Sequence, residues 1–281
     1  MTEAGSATVS PLLVLVGTKA QFIKTAPILT ELERRCVPYR LVYTGQHSET
    51  FDELEAVFGT RPADDNLVPG VEADTARGLL GWMVRFGIAA AERIWKGAWR
   101  GARVGIVHGD TASTLLGAIA LKLAGVPVAH VEAGLRSPRL LSPFPEEIIR
   151  RIVSRLSDVH LAPDAAAIAN LKTVRGHVVD TRGNTLRDAL LLALKSLPAR
   201  RLGGSGGYAV VSLHRSENLS HSATFDLLME EVVATSRELP VRFVLHPVTR
   251  ARLMRSAWMP KSCPSQAAPA PPNAASASIS R

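Results

Sequence analysis

The chain has 281 residues, with 33 Lys and Arg against 25 Asp and Glu and a formal charge of +8 at pH 7. That length holds two domains or one large one, each able to bury a core, and a hydrophobic fraction of 46% is ordinary for a globular chain. No apolar run approaches the roughly 20 residues of a membrane span. Residues 1–11, with an early Glu3 and no basic stretch, do not read as a secretion signal. Cys36 and Cys263 lie far apart in unlike surroundings, which points to neither a disulfide framework nor a metal site, and a reducing cytoplasm is the expected location. The arginines are scattered, with few aromatics among them, at apparent helix ends and polar faces (100–103, 150–155, 250–255). They read as solvated charge or anion attraction, not as a nucleic-acid surface.

Along the chain, short β-branched runs alternate with longer amphipathic stretches. Residues 12–16 form an apolar strand ending in Gly17-Thr18, followed by a helical pattern over 23–35. A strand at 39–43 ends in Thr44-Gly45-Gln46-His47, a helical stretch follows at 51–58, and 75–99 has the length and spacing of a helix. Then come a strand at 104–108, a helix over 112–124 and a strand at 126–131. Pro145 opens the next helix with Glu146 and Glu147 in its first turn, where proline and acid are both favoured. Further strands are expected at 159–162 and 178–180, with Asn184 capping a helix over 185–197. This alternation implies an α/β fold with a Rossmann-like parallel sheet covered on both faces, occupying 12–202 after a flexible start over 1–11.

Residues 203–207, Gly-Gly-Ser-Gly-Gly, precede a strand instead of opening a helix, so they read as a linker. A second unit over 208–258 begins with a strand at 208–212, a turn at 214–218, a helix within 222–239, a strand at 241–245 and a short helix near 249–255. About two strands are too few for an open α/β sheet, whose norm is roughly five or six. From Pro260 to Arg281, 16 of 22 residues are Ala, Pro or Ser, so 259–281 reads as a disordered tail after an incomplete second Rossmann-like domain.

Ligands of open α/β sheets sit beyond the carboxyl ends of the strands. Those ends carry Lys19 and Lys24, then Gln46 and His47, then Asp110, then Glu132 and Arg136, with Glu146 and Glu147 at a helix start. Asp110 either caps the helix near Ala112 or serves as an acid. Glu132, directly after a buried strand, is costly unless it is paired, with Arg136 as a structural partner, or used chemically. Glu146 and Glu147 either complement the helix dipole or act, and for Glu147 capping is the expectation. His108 and His130 read as core histidines, and no two histidines have metal-ligand spacing. The first turn, Gly17-Thr18-Lys19-Ala20-Gln21-Phe22, fits neither the dinucleotide nor the NTPase phosphate loop.

Seven segments in order resemble the non-hydrolysing UDP-N-acetylglucosamine 2-epimerases: Gly17 to Lys24, Thr44 to His47, His108 to Thr111, His130 to Arg136, Pro143 to Glu147, Gly183 to Thr185 and His214 to Asn218. The resemblance implies two Rossmann-like domains of the GT-B kind with substrate in the cleft between them, a homodimer and no redox cofactor. It implies elimination of UDP across C1–C2 of the sugar and re-addition with C2 inverted. By position, Asp110, Glu132 and Glu146 are the acid–base groups, and His214 and Arg215 serve UDP and its departure. Lys19 and Lys24 line the nucleotide-sugar cleft, Gln46 matches a position near a second UDP-GlcNAc site, and His47, Arg136 and Asn184 join the substrate-binding set.

Three departures stand out. Ala20-Gln21 replaces the family's Pro-Glu, Lys19 replaces an arginine, and Ser216 replaces the arginine after His-Arg. Nothing after Pro247 matches the family's diphosphate cradle, ribose glutamate or closing helix, so an impaired sugar-nucleotide-binding fragment stands beside the active epimerase. A hydrolysing relative releasing ManNAc and UDP, or a transferase with another acceptor, is a further alternative.

Overall fold

Leu12–Val16 (β1) is buried along its whole length, as expected of a strand flanked by others and covered on both faces. Its side chains alternate between two cores. Leu13 and Leu15 join Trp82, Phe86, Trp99 and Leu121 on one face. Leu12, Val14 and Val16 join Phe22, Leu29, Tyr43 and Phe51 on the other, where the Tyr43 and Phe51 rings stack at 4.2 Å. The computed structural model describes residues 10–46, 51–70, 76–140, 144–196, 207–214, 216–258 and 276–277. The chain divides into two compact units, 1–199 and 200–281.

In the first unit β1 is followed by α1 (Lys19–Arg34), β2 (Tyr39–Tyr43), α2 (Phe51–Phe58), β3 (Asp65–Asn66) and α3 (Ala76–Trp95). Then come β4 (Gly105–His108), α4 (Ala112–Leu123), β5 (Val128–Val131), α5 (Glu146–Leu156), β6 (Val159–Ala162), α6 (Ala165–Leu171), β7 (His177–Asp180) and α7 (Thr185–Ser196). The seven strands lie in the order β3-β2-β1-β4-β5-β6-β7, every neighbouring pair parallel. This is the α/β, Rossmann-like sheet that the alternation of elements implies. The order reverses beside β1, so the ends of β1 and β4 flank a crevice where such folds bind ligands.

Helix α1 begins four residues before the apolar pattern suggests, because Thr18 and Gln21 close a capping box around its first turn. Gln21, which stands where the family motif has Glu, also ties two loops together. Its Oε1 accepts from the Gly17 and Thr18 amides at 2.9 and 3.1 Å, and its Nε2 donates to His108 O and Thr114 Oγ1 at 2.7 Å each. A Cβ at Gly17 would collide with the Thr44 and Ser113 side chains, so glycine alone lets the β1 turn, the β2 end and the α4 start meet. Helix α6 escaped the periodicity reading: it is short, and its start is set by Asp164, whose carboxylate accepts from the Ala167 amide at 2.8 Å.

The second unit contains β8 (Ala209–Ser212), α8 (Ser216–Ser220), α9 (Ser222–Glu238), β9 (Val241–Val244), α10 (Pro247–Met254) and β10 (Ser276–Ala277). β8 and β9 pair in parallel, and β10 pairs antiparallel with β9. The turn expected at 214–218 is occupied by the start of α8. Phe225, Met229, Val232 and Phe243 form a small core, while Val210 and Val244 on the other sheet face are exposed. The proposed linker apart from Gly207, and the tail from 259 apart from β10, lie outside the described residues, as do 1–9. Among the described residues no helix is long and apolar enough to cross a membrane.

Replacing Gln21 by Ala should strand the buried Gly17 and Thr18 amides, at about 1–3 kcal/mol for each one left unsatisfied, while His108 O keeps the Thr114 hydroxyl at 2.6 Å. After partial relaxation we expect a loss of about 3 kcal/mol, read as a fall of roughly 6–12 °C in the melting temperature of the first unit. A shift under about 2 °C in calorimetry would show that Gln21 does not lock these turns.

Candidate active site

Glu132 directly follows β5 with a backbone φ of +65°, a left-handed conformation that costs on the order of 1–3 kcal/mol outside glycine and persists only where the surroundings impose it. Two side chains hold its carboxylate. Lys24, from α1, donates to both oxygens at 2.9 and 2.7 Å. Asn184 donates through Nδ2 to Oε1, while its own Oδ1 accepts from the Leu186 amide at 2.8 Å and caps α7. The residue expected to cap a helix therefore does that and also grips the acid from a second helix. His108, almost wholly buried, places Nε2 3.5 Å from Glu132 Oε2, and its Nδ1 lies 3.2 Å from Thr25 Oγ1.

Burial pushes the Glu132 carboxyl upward, but His108 and Lys24 outweigh it and hold the group at about 2. Burial pushes His108 down, so its ring is neutral at neutral pH. His130 is likewise held down to about 4 by burial, with Nε2 2.7 Å from Gly109 O. Both histidines are built into the sheet, as the sequence suggests. Arg136 is not the partner of Glu132. Its guanidinium donates to Leu135 O at 2.8 Å and Ser154 Oγ at 3.1 Å, and it faces a different pocket, outside the cluster around Glu132.

Asp110 leaves β4 beside Gly109, whose added Cβ would sit 3.7 Å from Glu132 Oε2. It does not cap α4. Thr111 does, accepting from the Thr114 amide, and this frees the aspartate to accept from Arg150 Nε at 2.7 Å. Arg150 is a residue that sequence reasoning assigned to solvated charge. Its Nη1 also donates to Ser137 Oγ at 3.0 Å and lies 3.7 Å from Glu147 Oε2. The available signal was its place three residues after Glu147 and four after Glu146 on one helix. Glu147 is fully buried and accepts from the Ser137 amide at 2.9 Å and Arg151 Nε at 2.8 Å, a structural role. Glu146, the first residue of α5, has a buried Oε2 with no hydrogen-bond partner among the described residues.

Lys19 is exposed at the first residue of α1. Gln46 Oε1 accepts from the Ser113 amide at 3.1 Å, at the start of α4. In the second unit, Ser212 Oγ lies 3.4 Å from His214 Nδ1 and 3.3 Å from His246 Nε2, and the two imidazole centroids are 4.9 Å apart. His246 went unremarked in the sequence, although it follows the end of β9. His47 and Arg215 lie outside the described residues. Among the described residues no group of His, Cys, Asp and Glu gathers in the number a metal ion needs.

The family model described as UDP-N-acetylglucosamine 2-epimerase matches residues 30–268. That match starts after the Gly17-to-Lys24 segment and extends beyond Pro247, where the motif resemblance stops. A relative from Thermotoga maritima is 34% identical over 221 residues, covering 74% of this chain and 55% of that protein. The UDP-2,3-diacetamido-2,3-dideoxy-D-glucuronate 2-epimerase of Pseudomonas aeruginosa is 31% identical over 252 residues, covering 87% of this chain and 69% of that protein. The structure of Methanocaldococcus jannaschii UDP-GlcNAc 2-epimerase in complex with UDP-GlcNAc and UDP superposes with a TM-score of 0.70 at 26% identity, covering 87% of this chain and 68% of that one. The chain thus spans little more than half the length of the Thermotoga relative.

The depressed Glu132 carboxyl sets an acid limit. Above the unfolded value near 4.5 the carboxylate is ionised in both states and its contribution is complete; as pH falls toward about 2 the unfolded chain takes the proton first and that contribution is lost. Replacing Lys24 by Met lets burial raise the folded value and flattens this dependence. Urea titrations between pH 6 and 3 should show the stability gap between the original chain and the Lys24→Met variant narrowing by on the order of 2 kcal/mol. A gap independent of pH would refute the pairing.

Proposed function

The chain belongs to the UDP-N-acetylglucosamine 2-epimerase family, and on that premise we propose that it interconverts UDP-GlcNAc and UDP-ManNAc for cell-surface polysaccharide or glycoside precursors. The observation that carries the reading is the half-buried, ionised Glu132, clamped by Lys24 and Asn184 at the carboxyl end of β5.

The C2 proton of the sugar is too weakly acidic for simple abstraction. A base takes it as the C1–O bond to UDP breaks, leaving 2-acetamidoglucal and UDP. UDP then re-adds at C1 while a proton enters C2 on the opposite face. No net oxidation occurs, so the chemistry requires proton carriers and anion stabilisers and no redox cofactor. Glu132 arrives ionised, yet a carboxylate held at about 2 is a poor base. Drawing the Lys24 ammonium away onto the diphosphate removes one of the two groups that depress it and raises its basicity on substrate binding. Asp110, oriented by Arg150, and Glu146, with its open oxygen, are the partner acids. By their match to the family blocks, His214 and Arg215 serve the departure of UDP, while Lys19, Gln46, His47 and Asn184 bind substrate. Arg136, matched to substrate by motif, donates to Leu135 O and Ser154 Oγ and lines a pocket outside the Glu132 cluster.

Membership also suggests a homodimer. The exposed apolar line Leu80, Val84, Ile88 and Trp95 along α3 supports that reading. Light scattering at tens of micromolar should return twice the chain mass of 30.1 kDa. A strictly monomeric mass would remove the homodimer.

Incubation with UDP-GlcNAc in deuterated buffer should yield UDP-ManNAc carrying deuterium at C2. Glu132→Gln should lower kcat by about 10²–10⁴-fold, with its melting temperature within a few degrees of the original. Release of free UDP and ManNAc would establish the hydrolysing reaction instead, and absence of both products would leave a sugar-nucleotide-binding fragment.

A further inference from the structure

On the far side of α5 from Asp110 the charge balance reverses. A pocket of about 310 Å³ is lined by Arg136, Arg151, Arg155, Arg175, Asn170 and Thr173, which places it at the small end of the range for ligand sites, roughly 300–1,000 Å³. Four guanidiniums border it and one carboxylate answers them: Arg151 donates to Glu147 Oε1 at 2.8 Å. Glu147 is itself shared, since Arg150 lies 3.7 Å from its other oxygen. Among the described residues Arg136, Arg155 and Arg175 have no acidic partner. Arg155 donates only to the backbone carbonyl of Arg151, at 3.3 Å. Arg136 is half-buried, commits two bonds to neutral acceptors and keeps its remaining N–H groups for the pocket.

The rim is a built feature. His160, fully buried, has Nε2 2.8 Å from Arg175 O, and at Gly176, with φ +117°, a Cβ would come within 2.8 Å of both Asp158 O and His160 Nε2. The backbone carrying Arg175 is therefore packed closely against β6. Asn170 is anchored in turn by donating to Gly134 O at 3.0 Å. Gathering guanidiniums without counter-charge is unfavourable in the empty state, because the exposed Arg151, Arg155 and Arg175 repel one another and the half-buried Arg136. Burial and the neighbouring Arg151, Arg150 and Arg155 accordingly push the Arg136 guanidinium below its ordinary range, against the pull of Glu147. An oxyanion removes that repulsion, and planar forked donors match phosphate geometry.

We propose that this pocket, framed by Arg136, Arg155 and Arg175, is a second anion site that takes the phosphate group of a small phosphorylated metabolite. It is separate from the Glu132 cluster, and its existence does not depend on the epimerase reading.

The test uses the full chain and inorganic phosphate, at constant ionic strength held by chloride. Phosphate should slow phenylglyoxal modification of Arg155 and Arg175, read by peptide mass spectrometry, and should raise the melting temperature. Arg155→Gln/Arg175→Gln should weaken phosphate binding by roughly tenfold or more in isothermal titration. A hexose 6-phosphate that protects better than inorganic phosphate identifies an ester as the preferred source; equal protection identifies the phosphate group alone. Both results support the site. Modification rates at both arginines unmoved by phosphate overturn it, with no variant needed. Displacement of all bound phosphate by UDP also overturns it, by placing the anion in the nucleotide site.

Discussion

The charge on Glu132 governs the arrangement of the first unit. A carboxylate is placed at the end of a central strand, on a left-handed backbone and mostly out of water, where ionisation is tolerated only if opposite charge and donors reach it. Those donors come from the first and last helices of the unit. Lys24 must be on α1 with that helix seated against β1, and Asn184 must start α7 at the right height. Gln21 then becomes more than a cap. By bonding the β1 turn to the β4 and α4 turn it sets the height of α1 and hence the reach of Lys24. Charge compensation at Glu132 and stability of the unit thus draw on the same interactions.

Helix α5 separates two electrostatic regimes. Its first turn and Arg150 face the acids, with Arg150 compensating Asp110 and Glu146 left with an open oxygen. Arg151 and Arg155 turn toward a pocket where positive charge exceeds negative. Buried Glu147 sits between them and is contacted from both sides. In sequence these residues form a single basic run on a helix. In space, adjacent positions lie about 100° apart around the axis and serve different environments.

The second unit carries a thinner core. Phe225, Met229 and Phe243 pack together, while the opposite sheet face shows Val210 and Val244 to solvent. Among the described residues, the parallel pair β8–β9 thus leaves Val210 and Val244 unburied on one face. The pair of imidazoles at 214 and 246 stands at the carboxyl ends of those strands, the end at which parallel sheets carry ligands.

Much of this was legible beforehand, because apolar periodicity and strand-end position are local properties. The strands at 12–16, 39–43 and 159–162 lie where the pattern places them, and Lys24, Asp110, Glu132 and Asn184 are readable as strand-end and helix-start residues. Segments with weak local signal were less clear: α6 is a single short helix set by one aspartate cap, and α8 begins inside an expected turn. Partner choice was invisible in sequence. Arg136, four residues from Glu132, looked like its counter-ion, whereas Lys24, 108 residues away, holds that role. Asp110 read as either a cap or an acid, and Thr111 takes the capping bond. The amino-acid sequence determined which residues stand at strand ends and that the fold is α/β, since both follow from short-range pattern. The tertiary structure alone decided which cation meets which acid, because charge pairing depends on distances across the sheet that no spacing along the chain encodes.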